Sequence, residues 1–244
     1  MELKVHSYES MGTYDGPGLR LVVFLQGCPF KCLYCANPDT IPFEGGTPTE
    51  PGEILKMALN QKPFFGKRGG VTFSGGEPSA QAEALVPLVR MLHENGIHVC
   101  IDSNGGIWNS HVEELFSIAD LVLLDVKQFN PDRHLGLTGR TNTRTLETAD
   151  WLETHGKPFW LRYVLVPGIS DDEKDIRALC GHFGNGKYRM IERVEILPYH
   201  TLGMNKYESM GLEYKLKDVP LNTKDQLEKA KNIFDEYFDC AVLN

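Results

Sequence analysis

The stretch Leu19-Arg-Leu-Val-Val-Phe-Leu-Gln26 is followed, after one glycine, by Cys28-Pro-Phe-Lys-Cys32-Leu-Tyr-Cys35. The first part is a nearly continuous apolar run, which is typical of a strand that is buried on both faces of a parallel sheet. The second part places three cysteines directly after that strand. The sequence therefore predicts a buried strand whose carboxyl end leads into a cluster of thiols.

Further apolar runs of the same kind recur along the chain, and amphipathic patterns predict helices between them. The runs cover residues 70–73, 98–102, 121–125, 160–166 and 194–197, and the helices begin near Pro51, at a Ser79 cap, near Asp172 and at Lys224. Six successive βα units predict an α/β fold with a parallel sheet and right-handed crossovers.

The number of βα units distinguishes between the possible α/β folds. A closed eight-stranded barrel takes about 250 residues, whereas only six units can be counted in this chain. The predicted fold is therefore an incomplete (β/α)6 barrel, a partial TIM barrel, with a doubly wound open sheet as the alternative. No repeat, low-complexity segment or linker divides the sequence, which predicts a single domain over residues 1–244.

Composition excludes several classes of protein. The 244 residues are 41% hydrophobic and 10% aromatic, which excludes a disordered chain. The formal net charge of −8 argues against non-specific nucleic-acid binding, because such binding depends on neutralising phosphates. No apolar run approaches the roughly 20 residues of a membrane span, and the N-terminus lacks the apolar core of a signal peptide. These features predict a cytoplasmic protein.

The cysteines are unevenly distributed. Three of the six fall within residues 28–35, whereas Cys100, Cys180 and Cys240 are isolated. Closely spaced soft thiolates suit an iron–sulfur cluster. Zinc stays open as an alternative, although a structural zinc site needs four ligands and no fourth cysteine or histidine lies nearby. Three thiolates on a four-iron cluster leave one iron open to a substrate, which separates a catalytic cluster from an electron carrier.

Polar residues follow most of the predicted strands. The carboxyl ends of parallel strands are where α/β folds place their active sites, although many strands simply end in polar turns. The residues in question are Ser74-Gly75-Gly76-Glu77-Pro78, Asp102-Ser103-Asn104, Asp125-Val126-Lys127 and Pro198-Tyr199-His200.

At this point the chain resembles a known family. The Cys-x3-Cys-x2-Cys spacing after the first strand, with Tyr34 before the last cysteine, is similar to the signature of the radical S-adenosylmethionine (SAM) enzymes. Gly75-Gly-Glu-Pro78 resembles their second motif. Segment 6–20 resembles the N-terminal signature of the activating enzymes of glycyl radical enzymes. Segments 102–105, 124–127, 162–168 and 197–200 resemble specifically the branch that acts on pyruvate formate-lyase. Because residues 36–73 contain no cysteine, the longer activases with further clusters are disfavoured.

The resemblance implies an anaerobic reaction. A [4Fe–4S] cluster on Cys28, Cys32 and Cys35 reduces SAM, and the resulting 5′-deoxyadenosyl radical takes a hydrogen atom from a glycine of the partner. The implied SAM contacts are Tyr34, Cys35, Ala36, Gly75, Gly76, Glu77, Asn104, Asp125, Val126, Lys127 and His200. Among them, Glu77 and Asp125 are expected to accept from the SAM ammonium and Lys127 to donate to its carboxylate.

The resemblance implies further contacts and partners. Asp102, Ser103, Leu123 and Asp125 match positions that bind a monovalent cation beside SAM, and Asp15, within an N-terminal segment of about residues 1–18, would contact the substrate peptide. The implied partners are pyruvate formate-lyase and a low-potential donor such as flavodoxin, with no nucleic acid or membrane. Two alternatives stay open, an activase of another glycyl radical enzyme and a non-catalytic iron–sulfur electron carrier.

Overall fold

The computed structural model describes residues 1–244 and divides into two compact units that alternate along the chain. The first unit comprises residues 1–29 and 40–123, and the second comprises residues 30–39 and 124–244. Segment 30–39 therefore belongs to the second unit although it is inserted in the sequence of the first.

The secondary structure consists of nine strands and eight α-helices. The strands are β1 (Leu3–Gly12), β2 (Arg20–Leu25), β3 (Thr47–Thr49), β4 (Gly70–Gly75), β5 (His98–Ser103), β6 (Leu121–Asp125), β7 (Phe159–Leu165), β8 (Ile191–Pro198) and β9 (Ala241–Leu243). The helices are α1 (Pro51–Phe65), α2 (Ala82–Glu94), α3 (Ser110–Ile118), α4 (Pro131–Thr138), α5 (Thr143–Thr154), α6 (Glu173–Phe183), α7 (Met204–Ser209) and α8 (Lys224–Asp235).

The sheet of the first unit has the strand order β3-β1-β2-β4-β5-β6. Strands β2, β4 and β5 run parallel, whereas β1 is antiparallel to both β2 and β3. The side chains of β2 from Leu21 to Val23 are completely buried. Burial on both faces explains the continuous apolar run and confirms the parallel strand that it predicts.

The helix that precedes β5 begins later than its sequence pattern indicates. Ser79 was expected to cap it, but Ser79 lies in a 3₁₀ turn, Pro78–Gln81, and α2 begins at Ala82. The Ser79 amide donates to the Glu77 carboxylate at 3.0 Å, so Glu77 caps the turn and the Ser79 prediction is wrong. The Glu77 carboxylate is a stronger hydrogen-bond acceptor than the hydroxyl that Ser79 would offer as a cap.

The sheet of the second unit has the order β6-β7-β8-β9, with β7, β8 and β9 parallel. The end of β6 joins it through the Val126 amide, which donates to the Arg162 carbonyl at 3.0 Å. A separate cluster of buried side chains in this unit is dominated by tyrosines, and its members are Tyr34, Leu137, Val166, Tyr199, Tyr207, Tyr214 and Leu216.

All six predicted strands are present, and the alternation of strands and helices confirms the α/β class. Strand β1 was not predicted because its residues from Ser7 to Met11 are mostly exposed and polar, so they form no apolar run. The single-domain organisation stays a prediction. None of the helices combines the length and the apolar character needed to cross a membrane.

Candidate active site

Cys28 lies just beyond the carboxyl end of β2, in a loop held by backbone hydrogen bonds. The Gly27 amide donates to the Thr40 carbonyl at 2.8 Å, and the Cys28 amide donates to the Ile41 carbonyl at 3.0 Å. The Asn104 side-chain amide donates to the Cys28 sulfur at 3.6 Å. The structure therefore brings together two of the predicted site residues, a thiol and an amide, from the ends of β2 and β5.

Gly75 and Gly76 lie against the same loop, where only glycine fits. Gly75 has φ +102°, and a Cβ added to it would lie 2.4 Å from the Leu25 nitrogen. A Cβ on Gly76 would lie 2.4 Å from the Gly27 carbonyl oxygen. The backbone that approaches these glycines is the chain's own, the end of β2 at Gly75 and the loop before Cys28 at Gly76, and their contact with SAM stays a prediction.

Glu77 is completely buried, and its carboxylate accepts four hydrogen bonds. Oε1 accepts from the Ser79 amide at 3.0 Å, the Ser79 hydroxyl at 2.6 Å and the Ser103 hydroxyl at 2.7 Å. Oε2 accepts from the Asn104 amide at 2.7 Å. Glu77 therefore ties the end of β4 to the end of β5, a structural role that its place in a sequence motif does not indicate.

Two of the residues predicted to hold a cation, Asp102 and Ser103, form hydrogen bonds with protein groups of the first unit. The Ser74 hydroxyl donates to Asp102 Oδ2 at 2.7 Å. The Ser103 hydroxyl, besides donating to Glu77, accepts from the Gly105 amide at 3.0 Å. Leu123 is buried in β6. The cation stays a prediction.

Asp15 lies near Thr72, the third residue of β4, which is the register partner of Val22 in β2. The Asp15 carbonyl accepts from the Thr72 hydroxyl at 2.6 Å, and the buried Arg20 guanidinium donates to the Pro17 carbonyl at 2.9 Å. These contacts fix the turn at the amino ends of β2 and β4. The contact of Asp15 with the substrate peptide stays a prediction.

In the second unit, helix α4 holds the segment that carries the other two cysteines. The Lys31 amide donates to the Thr138 carbonyl at 2.8 Å, and the Leu33 amide donates to the Leu137 carbonyl at 3.0 Å. The last carbonyls of a helix have no partner within it, so the cysteine loop satisfies them. Phe30 meets the ring of the buried His134 edge-on, with the ring centroids 5.5 Å apart.

Protonation of His134 is expected to destabilise the fold around this loop. Burial lowers its pKa, and Lys127 acts in the same direction, although Nδ1 donates to the Arg140 carbonyl at 2.7 Å. Because the unfolded chain binds the proton more readily, stability is lost as the pH falls from about 6.5, the ordinary histidine value, through the lowered pKa. We expect the free energy of unfolding to decrease less between pH 7 and pH 5 in His134→Asn than in the original chain, as measured by urea denaturation. An identical decrease in both would contradict this.

Cys32 and Cys35 are partly buried free thiols. Desolvation raises the pKa of Cys32 to about 12 and also raises that of Cys35, while Lys127 opposes both shifts. Thiols in such surroundings stay protonated unless a cation replaces the proton, and iron is such a cation. The donor chemistry therefore fits an iron–sulfur cluster.

No three His, Cys, Asp or Glu side chains converge on a position where one metal ion would fit. A four-iron cluster makes a different demand, because each cysteine binds a different iron atom.

Asp125 and Lys127, which follow β6, form a tight ion pair. Lys127 Nζ donates to Asp125 Oδ2 at 2.6 Å, and both side chains are about 15% exposed. Burial acts against the lysine charge, but the Asp125 carboxylate outweighs it and raises the pKa of Lys127 well above its usual value. The pair uses one ammonium hydrogen and one carboxylate oxygen. Two donors and one oxygen remain for a zwitterionic ligand.

Tyr34 presents a buried polar atom next to this pair. Lys127 Nζ lies 5.8 Å from the centre of its ring, and the phenolic oxygen is buried with no hydrogen-bond partner. A buried hydroxyl without a partner is rare, and it is a common sign of a missing ligand or water. Tyr34 is thus suited to donate to a bound molecule.

The remaining predicted residues have ordinary contacts. Ala36 lies against Gly203, and Val126 is buried beside β7. His200 is exposed, and its Nδ1 accepts from the Leu202 amide at 3.4 Å.

The resemblance to radical SAM enzymes is borne out by comparison with known families. Residues 22–180 match the model of the radical SAM superfamily. The pyruvate formate-lyase-activating enzyme of Clostridium pasteurianum is 42% identical over 237 residues, which is 97% of this chain and 98% of that protein. The pyruvate formate-lyase 1-activating enzyme of Escherichia coli K12 is 42% identical over 96% of each chain. The corresponding enzyme of Staphylococcus epidermidis is 46% identical over 93% of this chain and 92% of its own.

Solved structures confirm the fold class. A domain of a pyruvate-formate lyase-activating enzyme from Bacteroides vulgatus superposes with a TM-score of 0.60 at 23% identity, covering 72% of this chain and 99% of that domain. SuiB of Streptococcus suis, in a structure bound to S-adenosylmethionine, superposes with a TM-score of 0.72 at 15% identity, covering 93% of this chain and 50% of SuiB. At these identities the likeness concerns the fold, an α/β fold of the radical SAM type. Together with the full-length similarity in sequence, it shows that the chain belongs to the radical SAM superfamily and, within it, to the family of the pyruvate formate-lyase-activating enzymes.

Proposed function

We propose that this protein activates pyruvate formate-lyase under anaerobic conditions by generating a radical on a glycine of that enzyme. The observation that carries the proposal is the loop of three clustered cysteines, Cys28, Cys32 and Cys35, after the first parallel strand, in a chain 42–46% identical to activating enzymes over nearly its whole length. A cytoplasmic location and a low-potential donor such as flavodoxin belong to the same proposal.

The cofactors of the family are one [4Fe–4S] cluster and SAM, and Cys28, Cys32 and Cys35 would hold the cluster. When bound and reduced, the cluster supplies the electron that cleaves SAM and so provides the radical that takes hydrogen from the glycine. The chain's own residues orient the ligands and exclude water. Asn104 supports this assignment, because its side-chain amide already donates to the Cys28 sulfur.

We assign recognition of the charged end of SAM to Asp125 and Lys127. The lysine has donors for a carboxylate, and the aspartate has an unused oxygen for an ammonium. Tyr34 and Ala36 would line the adenine side, with Gly75, Gly76, Val126 and His200 as further contacts. Glu77 is better explained as the residue that fixes Ser79, Ser103 and Asn104, because four protein donors already occupy its carboxylate.

Lys127→Met tests the ion pair. We expect the SAM concentration for half-maximal cleavage to rise about tenfold to a hundredfold, because a hydrogen bond to a charged group contributes about 1.5–3 kcal/mol. The measurement is the rate of 5′-deoxyadenosine formation against SAM concentration. Lys174→Met, which removes an exposed lysine of the same unit, is the control and should leave the curve unchanged. An unchanged curve in Lys127→Met would refute the assignment.

The function itself is tested with the complete enzyme after anaerobic reconstitution with iron and sulfide. We expect a brown, oxygen-sensitive protein that forms 5′-deoxyadenosine from SAM and dithionite. With pyruvate formate-lyase present, electron paramagnetic resonance (EPR) should detect a glycyl radical on the partner. A cluster without SAM cleavage would indicate an electron carrier, and a radical only on another glycyl radical enzyme would overturn the choice of partner.

A further inference from the structure

Helix α7 contacts the segment that follows Cys35. Lys206 on this helix donates from Nζ to Asn37 Oδ1 at 2.8 Å and to Asp39 Oδ1 at 3.1 Å. Gly203 precedes the helix, and a Cβ added to it would lie only 2.8 Å from the Cys35 carbonyl oxygen. A glycine lets the helix approach, and a lysine then joins it to the loop. All five residues belong to the second unit.

The residue that Lys206 holds is itself bonded to the cysteine sulfur. The backbone amide of Asn37 donates a hydrogen bond to the Cys35 thiol, while the Asn37 side chain accepts from Lys206. Fixing the side chain therefore restricts the peptide whose N–H points at the sulfur.

Charge acts on the same sulfur. The Lys206 ammonium favours negative charge on the Cys35 sulfur, and the Asp39 carboxylate disfavours it. Lys206 is partly exposed and forms an ion pair with Asp39 at 3.1 Å. The lysine thus has both a hydrogen-bonding and an electrostatic route to the thiolate.

We propose that Lys206 is a positioning residue that holds the Asn37 amide against the Cys35 sulfur and thereby raises the reduction potential of the cluster. The inference rests on the proposed function, in which Cys35 binds that cluster. Hydrogen bonds to the sulfurs and the local charge both set the potentials of iron–sulfur clusters. A donated hydrogen bond and a nearby cation each stabilise the more negative, reduced state, so the two routes act in the same direction.

The test uses the reconstituted holoenzyme and its variants in a potentiometric titration followed by the EPR signal of the reduced cluster. At a fixed potential near the midpoint of the original chain, the ratio of reduced to oxidised cluster should be about tenfold lower in Lys206→Met than in the original chain. For one electron, this corresponds to a midpoint potential about 59 mV more negative. Lys215→Met, the same change at an exposed lysine of the neighbouring segment, should keep the original midpoint. Asp39→Asn should shift the midpoint in the opposite direction, which a loss of packing would not do.

Equal midpoints for Lys206→Met and Lys215→Met, or shifts of the same sign in Lys206→Met and Asp39→Asn, would overturn the proposal. If the methionine variant assembles no cluster, Lys206→Arg and Lys206→Gln decide, with a midpoint near the original for arginine and a lower one for glutamine as the expected result. Equal midpoints for these two would also overturn it. A failure of the proposed function is separate, because the original chain would then contain no four-iron cluster by iron and sulfide content.

Discussion

Replacing Cys32 by alanine is expected to abolish assembly of the [4Fe–4S] cluster and to reduce 5′-deoxyadenosine formation to the background without enzyme. The chain offers three clustered thiolates, and the loss of one leaves two ligands for four irons. The hard step of the reaction depends on the cofactor, so no residual pathway remains when it is lost. The measurements are iron and sulfide per chain after anaerobic reconstitution and SAM cleavage with dithionite.

The matched control is Cys240→Ala, which removes a partly buried free thiol close to the C-terminus. It should assemble the cluster and cleave SAM at the original rate. Because desolvation raises the pKa of Cys32 to about 12, the apo protein carries a neutral thiol there, and alanine should leave the thermal unfolding of the apo protein nearly unchanged. Full cluster content in Cys32→Ala, or its loss in Cys240→Ala, would show that the loop is not the cluster site.

The strands of this fold could be predicted because most of them are buried on both faces. A continuous apolar run as short as Leu121–Leu124 favours a buried strand over a helix because of its length, and all four side chains are buried. Strand β1 could not be found in this way, because it has an exposed face and pairs antiparallel with β2 and β3. Helix α4 was not predicted either, although Asn130, which accepts from the Asp132 and Arg133 amides, and Pro131 mark its start, because its eight residues are too few to show a clear apolar stripe.

Only part of the candidate site could be predicted from the sequence. Cysteines and strand-end residues such as Asp125 and Lys127 are visible because their type and spacing are unusual. The residues that position these side chains could not be predicted, since each contacts a partner that is distant in the sequence. Lys206 contacts Asn37 across 169 positions, and no local pattern indicates that contact. The two hydrogen bonds that Glu77 accepts from Ser103 and Asn104 likewise depend on the register of β4 and β5, which the sequence of either strand does not contain.

Glu77→Ala is expected to lower the free energy of unfolding of the apo protein by about 3–5 kcal/mol. It leaves the Ser79, Ser103 and Asn104 donors buried without their acceptor, and each unsatisfied buried group costs about 1–3 kcal/mol. Glu77→Gln keeps an oxygen for the donors on Oε1 but turns an amide toward the Asn104 N–H, so its loss should be smaller. Urea denaturation measures both, and Glu83→Ala, at an exposed glutamate on α2, should change little.

The glutamine variant also separates the structural role of Glu77 from the SAM contact that its motif suggests. If Glu77 acts only by joining the ends of β4 and β5, Glu77→Gln should lose stability. Its folded fraction should still reach half-maximal cleavage at the same SAM concentration as the original chain. If the carboxylate instead accepts from the SAM ammonium, the loss of its charge should raise that concentration at least tenfold in folded enzyme. Glu77→Gln and Glu77→Ala remove the same charge, but only Glu77→Ala removes both side-chain oxygens that accept hydrogen bonds. The order of their free energies of unfolding therefore tests these hydrogen bonds independently of SAM binding. Equal free energies of unfolding for Glu77→Gln, Glu77→Ala and the original chain would refute the structural role of Glu77.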